Sequence, residues 1–473
     1  MRISRASVVL NIYLSLLLAF ANVSPSFAAA QSDEVTQDSE LQIAALTRDI
    51  LLKGIDLSRF LLHYRIESAR QPKTRLLRYF LAQEASSSCA LAFEILATRQ
   101  FGNNQSTPLR IDKPLIHRAF NTVLVGSIIG GSSSAVELGS NAMRELRNRR
   151  HGMNSGAAIK HYVDGLHEMD AMLDKREQLV THQTGETKQL FMLEGKLLRE
   201  FRERSIVEFL TFHQDTVGIK TFENTYYFLN TGTNAVAASS IVYGDRSLRN
   251  IQYTAPSNIL FLISGAMTMT SPSIAIGACR VARGMAKRSL LKKLGLDEMP
   301  VLDDTQLEAD LNRFAAMGQE VGARHPSIGV QAERALGVYS QADQRFTSLL
   351  DYESKRIRLL RTVAVQNMFL APAIGATLTA QGILGTFGYY HYDRPPFRLD
   401  KFRAADRINY AGSIAGLTGT ATAVGGNALL LAAALTYREH LRRNNRLPEQ
   451  LVNSRLASLD DIEKEVKQIA PAQ

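Results

Sequence analysis

The densest group of side chains able to hold a metal or move a proton is His161, Asp164, His167, Glu168 and Asp170. On a helix, His161, Asp164 and Glu168 follow the i, i+3, i+7 spacing of one face, and divalent metals accept such ligands. A solvated helix face carries the same alternation, and His167-Glu168 lacks the second histidine of a zincin helix. The chain has no Gly-x-Ser-x-Gly elbow and no Gly-x4-Gly-Lys-Ser/Thr loop, and its glycine runs have no strand–turn–helix setting. Cys89 and Cys279 are the two cysteines, and both sit in apolar, small-residue stretches where a thiol behaves as a small hydrophobe. No disulfide, catalytic residue, metal site or cofactor is expected, and the sequence leans away from an enzyme.

A second group lies beside long apolar runs. Glu84 and Glu94 interrupt the arm at 79–97, and Glu137 falls near the end of the next one. A carboxylate at the bilayer centre costs about 2.5–3.5 kcal/mol on insertion scales, so such acids are candidates for function when they face a protein interior. Asn121, Asn258 and Asn409 stand at the entrance to three apolar arms, where an amide can bond between helices or cap an arm.

These residues sit on stretches unusual for their lack of charge. Residues 224–244, 250–279, 362–392 and 408–437 contain no Asp, Glu, Lys or Arg, and 119–136 is a shorter case. A membrane-spanning helix needs about 20 largely apolar residues. The runs are rich in Gly, Ala, Ser and Thr, which lets helix backbones approach closely inside lipid. Gly126 and Gly130 are spaced for such contact, as are Gly412 and Gly416.

The two motifs belong to a longer match. Val125–Ala142 reads VGSIIGGSSSAVELGSNA and Ala411–Ala428 reads AGSIAGLTGTATAVGGNA, pairing Gly139 with Gly425 and Asn141 with Asn427 as well. Upstream, Pro108–Lys113 pairs with Pro396–Lys401. A more diverged copy runs between them from Phe228-Leu229 through Asn258 to Gly277. The predicted fold is all-α: a multi-pass membrane bundle of three repeated small-residue helical hairpins joined by amphipathic helical linkers.

The linkers at 143–222 and 284–361 are rich in Leu, Glu, Arg, Lys and Gln, with Leu190, Leu193, Leu197 and Leu198 at helical steps. Asp303 can cap a helix, and Pro326 separates two. The hairpins are placed at 79–142 (second arm 119–142 in the membrane), 223–283 and 362–437, with a basic helical tail at 438–473. Residues 1–30 carry the basic start, apolar run and small-residue cleavage site of an export signal. A leader and helix follow at 31–78, with 31–40 read as a flexible acidic segment.

The net charge of +10 is concentrated after the second arms, as in Arg144, Arg147, Arg149 and Arg150. The positive-inside rule places the linkers in the cytoplasm, which with an exported N-terminus gives five spans and leaves 79–97 at the interface or packed on the bundle. The basic stripes fit anionic lipid headgroups, and no nucleic-acid partner is expected. The sequence thus predicts a multi-pass protein of a bacterial cell membrane. Its expected role is a non-enzymatic scaffold or interaction protein, self-associating or binding an envelope protein. The alternative is a transporter or channel built from the repeated hairpins.

Overall fold

The computed structural model describes residues 33–69, 75–106, 112–393, 399–445 and 447–469. The export signal expected at 1–30 lies outside them. Ten α-helices account for nearly all of these residues, with no strand among them. In chain order they are α1 (Asp33–Ala69), α2 (Arg75–Ser106), α3 (Lys113–Arg150), α4 (Ser155–Thr181), α5 (Gly185–Ser247), α6 (Thr254–Lys293), α7 (Asp304–Arg324), α8 (Pro326–Gly388), α9 (Leu399–Arg443) and α10 (Pro448–Val466).

The caps follow local chemistry. Asp112 and Asn154 accept backbone N–H bonds at the starts of α3 and α4, and Asp303 accepts from Thr305 and Gln306 at the start of α7. Pro326 is the first residue of α8, where a missing N–H costs nothing. Gly295 at φ +66° closes α6, with Leu296 N–H bonding back to Leu291 C=O at 3.0 Å.

Two bodies share these helices. In the first, α1 and α4 pack with the N-terminal half of α5, the end of α6, α7, the start of α8, and α10. The α1 seam is Ile43, Thr47, Ile50, Leu57, Leu61 and Tyr64, at three- and four-residue steps or their multiples, all nearly inaccessible. Against it α4 sets Tyr162, Leu166 and Met169, and α5 adds Leu197, Ile206, Phe209 and Leu210. Each fully buried side chain of this kind stabilises the fold by about 1.5–3 kcal/mol. Inside lies a buried polar knot. Arg176 donates to Thr47 (2.8 Å) and to the Phe191 carbonyl (3.0 Å), and pairs with Glu194, which also accepts from Tyr339. His213 is 2% exposed, and burial together with the nearby Lys293 charge pulls its pKa down to about 4.

In the second body six helices form a closed ring, each packed on the next in the order α2, α3, α5, α6, α8, α9 and back to α2. Paired contacts run in opposite senses at every seam. Ser240 pairs with Ser257 and Thr233 with Ser264 between α5 and α6; Gly265 abuts Thr379 and Gly375 abuts Met269 between α6 and α8. All neighbours are therefore antiparallel. α5 and α8, at 63 residues each, run from the bundle into the ring without a break, about 95 Å at 1.5 Å per residue.

Among the described residues, four helices are long and apolar enough to cross a membrane: one within Lys113–Thr181, then Ile251–Lys293, Leu370–Tyr392 and Lys401–Arg443. The expected span at 224–244 is not among them, because Asn224, Asn230, Asn234 and three Thr dilute its apolar content. Two further expectations are corrected. Residues from Asp33 onward are helical rather than a loose leader, since no breaker interrupts the run that feeds the α1 seam. The five-span arrangement would set α1 and the linkers on opposite sides of a membrane, whereas here they share one core.

Candidate functional site

The carboxylates separate into different settings. Glu94, on α2, is 2% exposed. Both its oxygens accept from Gln381 Nε2 on α8, at 2.9 and 3.0 Å. The pair meets over Gly416 of α9: a Cβ there would sit 2.6 Å from Glu94 Cδ and 2.6 Å from Gln381 Cδ. Gly416 is thus the absence of a side chain that admits two others. The Gln381 amide oxygen is buried and has no hydrogen-bond partner. Glu84, also on α2, has one buried carboxylate oxygen without a partner. Glu137 is different: it is 1% exposed and held by two guanidiniums, Arg75 Nε at 2.5 Å and Arg78.

The small-residue positions divide in the same way. A Cβ on Gly126 would lie 2.6 Å from Cys89 Cβ, and one on Gly130 would lie 2.7 Å from Ser86 Oγ and 2.8 Å from Asn234 Oδ1. Gly412 is in ordinary contact with Gln381 and Leu384 at 3.6 Å. Gly139 and Gly425 meet nothing within 4 Å, so neither sits at a helix contact. The closer approaches to a neighbouring backbone occur at glycines outside the sequence motifs. A Cβ on Gly382 would lie 2.7 Å from Leu262 Cα, and one on Gly375 would lie 2.6 Å from Met269 Cα.

The three asparagines do not converge. Asn121 is exposed and bonds His117 Nε2 at 3.2 Å, while His117 Nδ1 reaches Asp245 on α5. Asn258 lies against Gly385 from α6, and Asn409 lies near Gly388 from α9. Other amides and hydroxyls join the seams: Asn230 donates to Ser134 (2.8 Å) and Tyr79 (3.3 Å), Asn141 to Asn224 (2.8 Å), Gln83 to Ser133 (2.9 Å) and Asn427 to Ser87 (3.3 Å). Interhelical bonds of this type hold helices where hydrophobic drive is absent.

The metal-capable group on α4 disperses over a solvated face. His161 packs its ring on Phe60 at 4.2 Å, Glu168 pairs with Lys53, and Asp170 pairs with Arg202. Among the described residues no three His, Cys, Asp or Glu side chains come close enough to share an ion. Cys89 and Cys279 are both free thiols.

The geometry shows a membrane-type helix ring with two deeply buried carboxylates, Glu94 on an amide and Glu137 on two guanidiniums. Comparisons with family models, characterised proteins and solved structures find no match to this chain. Its chemistry therefore rests on these contacts. Gln381, Arg75 and Arg78 carry no functional reading from the sequence. Gln381 had a visible signal as one of few large polar residues in the charge-free run 362–392. In the sequence Arg144 reads only as orientation charge.

Proposed function

We propose that this chain is a non-enzymatic, multi-pass membrane protein of a bacterial cell envelope, exported through residues 1–30. Its six-helix ring is embedded in the bilayer, and its helical bundle stands on one side as an interaction platform. The observation that carries this reading is the outer surface of the ring. Val125, Ile128, Val136, Ile274, Ile383 and Leu429 are each half exposed or more. The helix contacts beneath them are made by glycines, serines and amides. A surface of that kind favours lipid, and close small-residue packing supports association inside it.

The three helix pairs α2/α3, α5/α6 and α8/α9 fit the repeated hairpins read from the sequence, with α2 as a sixth crossing. Glu94 is then tolerable in a crossing helix, because it faces protein rather than lipid. An export signal translocates α1, and the bundle travels with it. The positive-inside rule weakens for long folded segments, so the basic linkers do not oppose that orientation. The partners consistent with this surface are anionic lipid headgroups, a second copy of the chain, or an envelope protein docking on the bundle.

A transport role is the second reading, favoured by Glu94 and the unpartnered Gln381 oxygen, since buried intramembrane acids often lie on ion or proton paths. The close ring contacts favour the scaffold.

Three measurements test the proposal. Alkaline carbonate should leave the protein in the membrane pellet; release without detergent overturns insertion. Reporters fused after residues 180, 320 and 473 should all face outside, while one inserted at 250 should face inside. Cytoplasmic signals from the first three overturn the orientation. Solute or ion flux through reconstituted vesicles, abolished by Glu94→Gln, would replace the scaffold by the transporter.

A further inference from the structure

At the bundle end of the ring, α2, α3 and α5 bring together three guanidiniums and two carboxylates. Arg75 is 3% exposed. Its Nε binds Glu137, its Nη2 reaches Glu223 at 3.5 Å and Tyr227 OH at 3.4 Å, and its Nη1 is buried without a partner. Arg144 lies within electrostatic reach of Arg75, Glu137 and Glu223, and its Nη2 is likewise buried without a partner. Arg78 completes the group, bound to Glu137 on one side and half exposed on the other. Neighbouring charges are already matched: Arg147 pairs with Glu67 and Lys220 with Glu145.

A buried guanidinium N–H with no acceptor is costly, and two in one place call for an anion. Three guanidiniums against two carboxylates leave one positive charge, the amount a single phosphodiester neutralises. Planar guanidinium forks suit phosphate oxygens. The surroundings favour a lipid over a free ion. Leu77 and Leu81 on α2, and Met143 and Leu146 on α3, are exposed within a turn or so of Arg78 and Arg144 and offer an apolar surface for acyl chains. Tyr79 and Tyr227, stacked edge to face at 5.2 Å, supply the amphipathic rings common at a membrane interface.

We infer that this cluster is a binding site for the phosphodiester headgroup of an anionic lipid, entered past Arg78 and read by the free N–H groups of Arg75 and Arg144. The headgroup level follows from the membrane-embedded ring proposed above. Bound lipid would tie α2 to α3 and α5 at the point where the ring meets the bundle.

The test uses the full chain in detergent micelles, with native mass spectrometry against dioleoylphosphatidylglycerol, dioleoylphosphatidylcholine and inorganic phosphate. The expected result is retention of one phosphatidylglycerol in preference to phosphatidylcholine, with occupancy falling about fivefold in Arg144→Gln and kept in Arg144→Lys. Arg75→Ala strands Glu137 and is a poor probe; Arg78→Gln serves if Arg144→Gln misfolds by circular dichroism. Equal retention of both lipids, or no change in the Gln variants, overturns the site. Saturation by millimolar phosphate with no lipid retained reassigns it to a soluble anion and overturns the lipid. A chain that stays in the carbonate pellet but retains no phosphatidylglycerol loses this inference alone. One released by carbonate that still binds the lipid loses the membrane reading alone.

Discussion

In the bundle, α1, α4 and α5 bury Leu57, Leu166 and Phe209 and turn Asp164 and Glu168 outward. In the ring, α2 and α9 bury Glu94, Ser413 and Thr420 and turn Ile95 and Ile414 outward. The same secondary structure is thus organised in opposite senses in the two bodies. The bundle follows the rule for water, where removing apolar area is the main stabilising term. The ring gains little from that term at its seams and depends on close contact and interhelical hydrogen bonds. Glycine shows the difference at a single position. Gly165 makes room for the Leu57 side chain, whereas Gly382 makes room for the backbone of α6 at Leu262.

Four experiments press on this contrast, beginning with the largest effect. Phe209→Ala removes a fully buried ring stacked on Tyr162 at 3.9 Å and should cost about 3–5 kcal/mol, read by urea unfolding of the bundle. A loss under 1 kcal/mol would mean the bundle core is not the stabilising unit. Ile128→Lys, on the outer face of the ring, should cost about 2.5–3.5 kcal/mol in a membrane-insertion assay. In water the same change at a half-exposed site would be close to neutral, so an unchanged insertion profile removes the contrast altogether.

The third experiment concerns pH. His213 has a folded pKa of about 4 against an ordinary value of 6.5, so the folded state disfavours its charged form. Its contribution is therefore present above pH 6.5 and is lost as pH falls towards 4, by up to roughly 3 kcal/mol. Bundle stability measured across that window should fall, and His213→Gln should flatten the fall. An identical slope in the variant assigns the acid sensitivity to other groups. Last, Gly382→Val should destabilise the ring by about 1–3 kcal/mol through overpacking, read as loss of detergent-resistant helix content, while bundle unfolding stays unchanged. Equal damage to both would mean that the two bodies unfold as one.

The helical class and the apolar arms were legible because charge-free runs and leucine periodicity are local properties of the chain. So were the cap at Asp303 and the break at Pro326, which depend on neighbours within a turn. The ring contacts were harder to see. Gly126, Gly130 and Gly416 carry the small-residue spacing and do lie at contacts, but Gly139 and Gly425 match equally well in sequence and face open space. Spacing places a glycine on a helix face; it does not say whether another helix occupies that face. The packing of α1 on the linkers was hidden for a related reason. Loop charge is summed locally, whereas the position of α1 beside α4 depends on contacts more than 100 residues apart, such as Arg176 on Thr47.

The amino-acid sequence by itself determined that this protein is helical, that its apolar runs are rich in small residues, and that its positive charge gathers after the second arms. Those properties follow from residue type and spacing within a few turns. Only the tertiary structure decided that six helices close into a ring, that Glu94 meets Gln381 over a missing side chain at Gly416, and that Arg75 and Arg144 are left with free N–H groups in a buried cluster. Burial and hydrogen-bond satisfaction are set by what arrives from distant parts of the chain, and a linear pattern carries no record of it.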